Sequence, residues 1–217
     1  MKHTMQILDI VQARTLLATA KGHPQEALFV LALATGMRRN ELLGLKWQDI
    51  DFEKKMLYVR RAIHFFPQQG DMEKDNLSRE SAQLKIKSHE RQLALTNFGI
   101  NALKNHQEGQ NRAENLKYVF CKPDGSLLHS EQDVLMPFKL ILREAGLPNV
   151  QFHGLRQSVV TFFIDLGIHP RVVQHVLGMT ENIMPLATLS PVSFALQQEA
   201  LEKLSKLLEG PDEFEDQ

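Results

Sequence analysis

The chain has 217 residues, 43% hydrophobic and 24% charged, which is enough for one good-sized core and at most two small domains. No apolar run approaches the roughly 18 residues of a membrane span, and the N-terminus lacks the pattern of a signal peptide. The single cysteine, Cys121, excludes an internal disulfide framework and a metal site built from cysteines. We therefore predict one soluble domain in the cytoplasm, with no membrane partner.

The formal net charge of −1 is not the basic balance that is usual for a nucleic-acid binder. Four acidic residues are concentrated at the C-terminus: Asp212, Glu213, Glu215 and Asp216. Without them the chain has 25 basic and 22 acidic side chains. We predict a folded domain over residues 1–209 and a solvated, disordered acidic tail over residues 210–217. Whole-chain charge neither supports nor excludes DNA binding.

The first part of the chain has helical periodicity. Apolar residues at helical spacing predict helices over residues 10–20 and 27–34, and Gly36 is placed to end the second of them. A short third helix is predicted over residues 40–45. The segment from Thr35 to Arg39 is then a turn between two helices.

The middle of the chain has the composition of a small sheet. Residues 56–63, 84–86 and 91–95 are predicted strands of an antiparallel sheet, and the polar residues 68–81 form a mobile loop between them. A helix over residues 97–106 follows. A short strand over residues 118–121, a turn at 122–125 and a helix over about 131–145 complete this region.

Three helices are predicted in the last part of the chain. They cover residues 155–166, residues 171–177 with Pro170 at the start, and an amphipathic helix from about Val192 to Leu208. One narrow apolar stripe runs along the last helix: Phe194, Leu201, Leu204 and Leu208. Such a stripe must be buried, so we predict that this helix docks either on its own domain or on a neighbouring copy, the second giving a homo-oligomer.

Two arginine motifs are candidates for chemistry. Thr35-Gly36-Met37-Arg38-Arg39-Asn40-Glu41 follows the second helix, and His153-Gly154-Leu155-Arg156 opens a later one. Guanidinium groups bind phosphate bidentately and stay protonated at any working pH. A single arginine near a helix end is more often solvated or paired with a carboxylate, so the motifs are informative only together with their context.

In chain order, five segments together resemble the catalytic domain of the phage-type tyrosine recombinases, or integrases. They are Thr-Gly-x-Arg-x-x-Glu at 35–41, Gly-Leu-Lys-Trp-Gln-Asp-Ile-Asp at 44–51, a lysine hairpin at 84–95, His-x-x-Arg at 153–156, and residues 167–178. The resemblance covers nearly the whole chain. It implies a mainly α fold with a small antiparallel β-sheet, DNA as substrate, and neither a metal ion nor another cofactor.

The resemblance also implies roles for individual residues. Arg38 and Arg156 would clamp the phosphate, and His153 would position it or assist proton transfer. Lys85 would protonate the departing 5′ oxygen, with Lys87 as the alternative because side chains two apart share a sheet face. Glu41 would orient Arg38, an ordinary surface ion pair being the alternative. The predicted DNA-contacting residues are Arg38, Lys85, Lys87, Arg91 and Arg156.

The sequence departs from the family pattern near its end. Gln157-Ser158 replaces the usual His-Thr, and Met179 stands where the family has histidine or tryptophan. The family's nucleophilic tyrosine falls on Leu186 when Leu189-Ser190-Pro191 is aligned with the usual ending, and on Thr188 by counting from Met179. The only tyrosines, Tyr58 and Tyr118, lie far upstream. A hydroxyl of Thr188 or Ser190 would need a general base beside it, and none is evident.

These departures predict an integrase-like DNA-binding pseudoenzyme that no longer cleaves DNA. The match begins near Met5, so we also expect no N-terminal DNA-clamping (core-binding) domain. Two alternatives stay open: an active recombinase with a displaced nucleophile, and a recombinase fold kept as a protein-interaction module.

Overall fold

The computed structural model describes residues 6–63, 90–110, 116–128, 131–179 and 193–210. These residues form eight α-helices and a three-stranded antiparallel sheet, which confirms the predicted fold class. The helices are α1 (Ile10–Thr19), α2 (Glu26–Thr35), α3 (Arg39–Leu43), α4 (Asn97–Gln110), α5 (Glu131–Glu144), α6 (Phe152–Asp165), α7 (Pro170–Leu177) and α8 (Phe194–Glu209). The strands are β1 (Ile50–Asp51), β2 (Met56–Val59) and β3 (Arg91–Ala94). Within the described part of the chain, no helix is long and apolar enough to cross a membrane.

Helix α2 lies at the centre of the core. Every residue from Ala27 to Thr35 is buried, as expected for a helix that is apolar on all sides. It packs against α1, α3, α4, α6 and α8. Gly36 ends it with a φ of +63°, and a Cβ at this position would lie 2.4 Å from a methyl carbon of Leu177. Glycine therefore lets the end of α2 approach the end of α7 closely.

The sheet has the order β1-β2-β3, with Ile50 opposite Leu57 and Leu57 opposite Leu93. Strand β1 was not predicted, whereas the predicted strand at 84–86 and the predicted loop at 68–81 lie outside the described residues. A single 3-10 turn, Trp47–Asp49, leads into β1. The buried Asp49 carboxylate accepts the Lys46 amide N–H at 3.0 Å and pairs with Arg61, so this turn is fixed by an internal ion pair.

The segment predicted as a strand over residues 118–121 does not form one. Tyr118 makes an isolated bridge to Lys46, and Cys121 makes another to Leu127. The two bridges join different neighbours, so no continuous ladder can form. The β-forming residues of this short segment, Val119 and Phe120, are buried in the core without forming a strand.

Helix α5 continues through Pro137, which has no N–H to bond the carbonyl one turn earlier. That carbonyl belongs to Asp133, and it accepts the side-chain amide of Gln25 at the start of α2. A donor from a neighbouring helix thus replaces the missing one. The carbonyl is satisfied, and the helix keeps its predicted length.

Helix α8 docks on its own domain, which is the first of the two predicted arrangements. Its stripe of Leu201, Leu204 and Leu208 is buried, whereas Phe194 is 39% exposed. The helix packs against β3, α1, α2 and α7. Gln197 is 1% exposed and uses both ends of its amide: Oε1 accepts the Ala94 N–H at 2.7 Å and Nε2 donates to the Gln92 carbonyl at 2.9 Å. One side chain thereby forms hydrogen bonds with two backbone groups of β3.

Candidate functional site

The two arginine motifs meet at the C-terminal end of α7. Arg38 directly follows the turn after α2 and caps α3, and Arg156 projects from the second turn of α6. Three successive carbonyls, those of Val176, Leu177 and Gly178, each accept a bond from a different arginine. The last carbonyls of a helix lack partners within the helix and carry partial negative charge. They are therefore suitable anchors for guanidinium groups.

Arg156 is the buried member of this cluster, with 4% of its surface exposed. Its Nη1 donates to the Gly36 carbonyl at 2.7 Å and its Nη2 donates to the Leu177 carbonyl at 2.6 Å. Burial, with the positive charge of Arg38, lowers the pKa of Arg156 to about 10. The guanidinium remains protonated at neutral pH and joins the ends of α2 and α7.

Arg38 is the more accessible of the two, with a side chain that is 37% exposed. Its Nη1 donates to Glu41 Oε1 at 3.0 Å and its Nη2 donates to the Gly178 carbonyl at 3.1 Å. These two bonds fix the plane of the guanidinium and leave part of it open to solvent. Arg38 is thus held in place and can still meet a ligand.

Glu41 is buried, with 4% of its side chain exposed, and both of its oxygens are occupied. Besides Arg38 Nη1, it accepts the Arg38 backbone N–H at 2.9 Å and two donors of Arg91, at 3.0 and 2.9 Å. Burial alone would raise the pKa of Glu41. The bonds and charges of Arg91 and Arg38 outweigh burial and lower the pKa to about 2. The predicted Arg38–Glu41 contact is therefore present, and the carboxylate is ionised.

Arg91, which the sequence placed among the DNA-contacting residues, is found inside the protein. Its side chain is 5% exposed, and its Nε donates to the Val176 carbonyl at 2.9 Å. DNA contact by Arg91 stays a prediction, but its guanidinium is turned toward Glu41 and α7. The Glu41–Arg91 ion pair was missed because no local sequence pattern joins two residues so far apart along the chain.

His153 lies in the first turn of α6 and is exposed. Desolvation, then the positive charges of Arg156 and Arg38, lower its pKa, so the ring is neutral at neutral pH. Gln157 Nε2 lies 3.3 Å from His153 Nε2, so this substituted family position contacts the histidine. Ser158 is buried, and its hydroxyl accepts the Leu8 N–H at 2.8 Å, a structural role away from the site.

Met179 follows Gly178 directly and is 37% exposed, with its N–H bonded to the Gln174 carbonyl at 3.0 Å. Lys85, Lys87, Leu186 and Thr188 lie outside the described residues. The structure therefore brings together Arg38, His153 and Arg156 of the predicted catalytic set. The positive charges of Arg38, Arg91 and Arg156 exceed the negative charge of the Glu41 carboxylate, and this excess favours an anionic ligand.

The two tyrosines have neighbours of their own. Tyr58 lies in β2, and the Arg60 guanidinium stands 4.9 Å from the centre of its ring. The Tyr118 ring is flanked by Lys46 Nζ at 5.2 Å and Lys117 Nζ at 5.9 Å.

Within the described ranges, no group of three or more His, Cys, Asp or Glu side chains is arranged to hold a metal ion.

Several known proteins resemble this chain. A tyrosine recombinase XerC-like protein of Caldanaerobacter subterraneus is 35% identical over 173 residues, which cover 73% of this chain and 43% of the relative. The integrase of Salmonella phage P22 is 26% identical over 180 residues, covering 77% of this chain and 40% of the integrase. The chain therefore spans less than half the length of these two relatives.

Solved structures show the same fold. XerA recombinase superposes with a TM-score of 0.62 at 19% identity, covering 93% of this chain and 65% of XerA. The Tn1549 transposon integrase, solved in complex with transposon right end DNA, gives a TM-score of 0.66 at 20% identity, covering 92% of this chain and 66% of the integrase. The sequence profile of the phage integrase family matches residues 5–184. The chain therefore belongs to the phage integrase family and has the fold of the tyrosine recombinase catalytic domain.

Proposed function

We propose that this domain binds DNA through a phosphate group that accepts hydrogen bonds from Arg38 and is attracted by the charge of the buried Arg156, and that it does not cleave the strand. The observation that carries the proposal is the fixed, partly exposed guanidinium of Arg38 beside the buried Arg156. A phosphate at this position would receive charge-assisted hydrogen bonds from a donor that is already oriented. The neutral His153 beside it could donate or accept a further bond.

Family membership makes DNA the substrate class of first choice. The Tn1549 transposon integrase was solved in complex with transposon right end DNA, and the XerH site-specific recombinase was solved bound to its difH substrate. Three arginines are anchored at the end of α7 against one carboxylate, Glu41, and the excess positive charge is one that a protein partner of ordinary composition would not require. The proposed biological context is DNA integration and recombination in the cytoplasm.

Loss of cleavage is proposed because no tyrosine follows His153 in the sequence. Met179 offers only a thioether, which is a weak acceptor and cannot donate a hydrogen bond to phosphate. Tyr58 and Tyr118 belong to other parts of the sequence and carry cation contacts of their own. The arginines could then stabilise charge on a phosphate, but no phenol is supplied to begin the displacement.

Binding is tested by gel shift with duplex and branched DNA across a salt series. Each phosphate contact contributes about −0.9 to the slope of log affinity against log salt. Arg38→Ala should weaken binding and flatten the slope by about that amount. The control is Lys21→Ala, which removes an exposed cation beyond the end of α1 and should change neither. Equal binding by the parent and Arg38→Ala would support the protein-interaction alternative.

Cleavage is tested with a suicide duplex, nicked so that a covalent adduct is trapped, followed by denaturing electrophoresis. We expect no adduct from the parent protein. The comparison includes Leu186→Tyr and Thr188→Tyr, each combined with Met179→His, at a salt concentration where binding has been verified. An adduct from the parent would establish an active recombinase with a displaced nucleophile, and an adduct from a revertant alone would assign the loss to the missing side chains.

A homo-oligomer formed through the C-terminal helix would require α8 to leave its own domain, because its leucines are already buried there. We propose the docked arrangement as the resting state of the single chain. Sedimentation in the presence and absence of DNA distinguishes it from an exchanged dimer.

A further inference from the structure

We propose that Arg91 is a positioning residue that aims Arg38 at the phosphate and does not itself touch DNA. This inference rests on the proposed function of the site. It assigns to Arg91 a part that differs from the direct contact expected from the sequence.

All three nitrogens of the Arg91 guanidinium donate to the protein. Nη1 and Nη2 bond the two oxygens of Glu41 at 3.0 and 2.9 Å, a fork-to-fork pair, and Nε bonds the Val176 carbonyl at 2.9 Å. With 5% of the side chain exposed, the group has little surface left for a ligand. Its backbone is held in the sheet opposite Val59. Arg91 therefore joins the sheet, Glu41 and α7 rigidly.

The pairing leaves Arg38 only partly bound to Glu41. Arg38 makes one side-chain bond to the carboxylate and directs its other terminal nitrogen to the Gly178 carbonyl. If Arg91 were removed, Arg38 would be the only charged partner left to the buried carboxylate among the residues that the structure describes. Burying an unpaired or half-paired charge is costly, so Arg38 would turn its whole fork toward Glu41. The part of the Arg38 guanidinium that faces solvent would then no longer be available to bind the phosphate.

The end of α7 reinforces the same geometry. Arg91, Arg156 and Arg38 bond the carbonyls of Val176, Leu177 and Gly178 in that order. Gly178 has a φ of +60°, and a Cβ there would lie 2.7 Å from Arg91 Nη1. The space between α7 and Arg91 thus admits no side chain. A shift of Arg91 would be transmitted to the carbonyl that holds Arg38.

The first test uses the protein without DNA. Isotope-edited NMR of the arginine Nε–H groups is recorded for the parent and for Arg91→Gln, with the Arg38 signal assigned by its disappearance in Arg38→Lys. We expect the Arg38 signal to shift in Arg91→Gln. An Arg38 signal that stays unchanged would overturn the inference whether or not the protein binds DNA.

The second test is a double-mutant cycle on DNA affinity. Arg91→Gln should weaken binding about tenfold, as expected for loss of one charge-assisted contact, yet have little further effect in an Arg38→Ala background. Additive losses would show that Arg91 contacts DNA directly. If the parent fails to bind any DNA while the NMR shift is seen, the proposed function fails and the internal geometry stands.

A matched pair separates positioning from simple stabilisation. Arg91→Gln leaves Glu41 short of a partner, whereas Arg91→Gln combined with Glu41→Gln removes both charges. We expect the double variant to regain melting temperature relative to Arg91→Gln but not DNA affinity, because neither variant restrains Arg38. If stability and affinity recover together, the role of Arg91 is structural only.

Discussion

One buried amide, that of Gln197, contributes to the docking of α8 on β3, and its removal gives a quantitative test. Gln197→Ala deletes both the acceptor for the Ala94 N–H and the donor to the Gln92 carbonyl. Ala94 is 2% exposed, so its N–H would be left in the core without a partner. Gln92 is exposed, and water can replace the lost donor to its carbonyl.

The expected cost is dominated by the orphaned N–H. A buried unsatisfied donor costs about 1–3 kcal/mol, and the mutation adds a small cavity. We therefore expect a loss of about 2–3 kcal/mol in the free energy of unfolding. For a protein of this size, each kcal/mol lowers the melting temperature by about 2–4 °C, so the shift should be about 4–12 °C.

Thermal unfolding followed by circular dichroism measures this shift. The adjacent Gln198 is exposed and provides a matched control, because Gln198→Ala removes the same side chain from the same helix without touching β3. Gln198→Ala should change the melting temperature little. If the two variants unfold at the same temperature, the bonds from α8 to β3 contribute nothing measurable and the reasoning fails.

Three further predictions follow from the site and the core. The pKa of Glu41 is lowered from 4.5 to about 2, so the ionised carboxylate stabilises the fold above pH 4.5 and this stabilisation is lost as the pH falls toward 2. Urea unfolding of the parent should show a loss of about 3 kcal/mol in the free energy of unfolding over this range, and Glu41→Gln should lack this contribution. An equal dependence on acid in both proteins would contradict the assignment. The pKa of His153 is lowered below 6.5, so the ring gains its positive charge only in acid, and DNA affinity should rise as the pH falls below 6.5. The rise should be smaller in His153→Gln. Gel shifts at several pH values that showed the same increase for both proteins would argue against a role for His153. Leu201→Ala should cost about 2–5 kcal/mol, whereas Leu196→Ala, at a position 52% exposed, should cost far less in the same denaturation experiment.

Local patterns were sufficient to predict most helices. α2 is apolar on every side and is buried on every side, and Gly36 and Gly178 end their helices with positive φ. For these helices the signal lies within a few residues, where helical spacing or turn chemistry determines the backbone. That Arg38 and Arg156 belong to one site was implied by the family resemblance, since neither motif alone shows where the other lies.

Long-range partners could not be predicted in this way. Nothing near Arg91 in the sequence shows that its guanidinium faces Glu41, so an arginine beside a predicted lysine hairpin was expected to face DNA. Strand β1 is two residues long, too short for a periodic pattern. The amide of Gln197 looks like any polar helix residue until β3 is placed beside it.

The proline inside α5 has a consequence for how the sequence can change over time. Because Pro137 offers no N–H, the Asp133 carbonyl takes a hydrogen bond from the amide of Gln25 instead. A residue other than proline at position 137 would supply its own N–H to the same oxygen, which can accept two bonds. Substitution of Gln25 is therefore tolerated best when Pro137 changes as well, and in related sequences loss of Gln25 should accompany loss of Pro137.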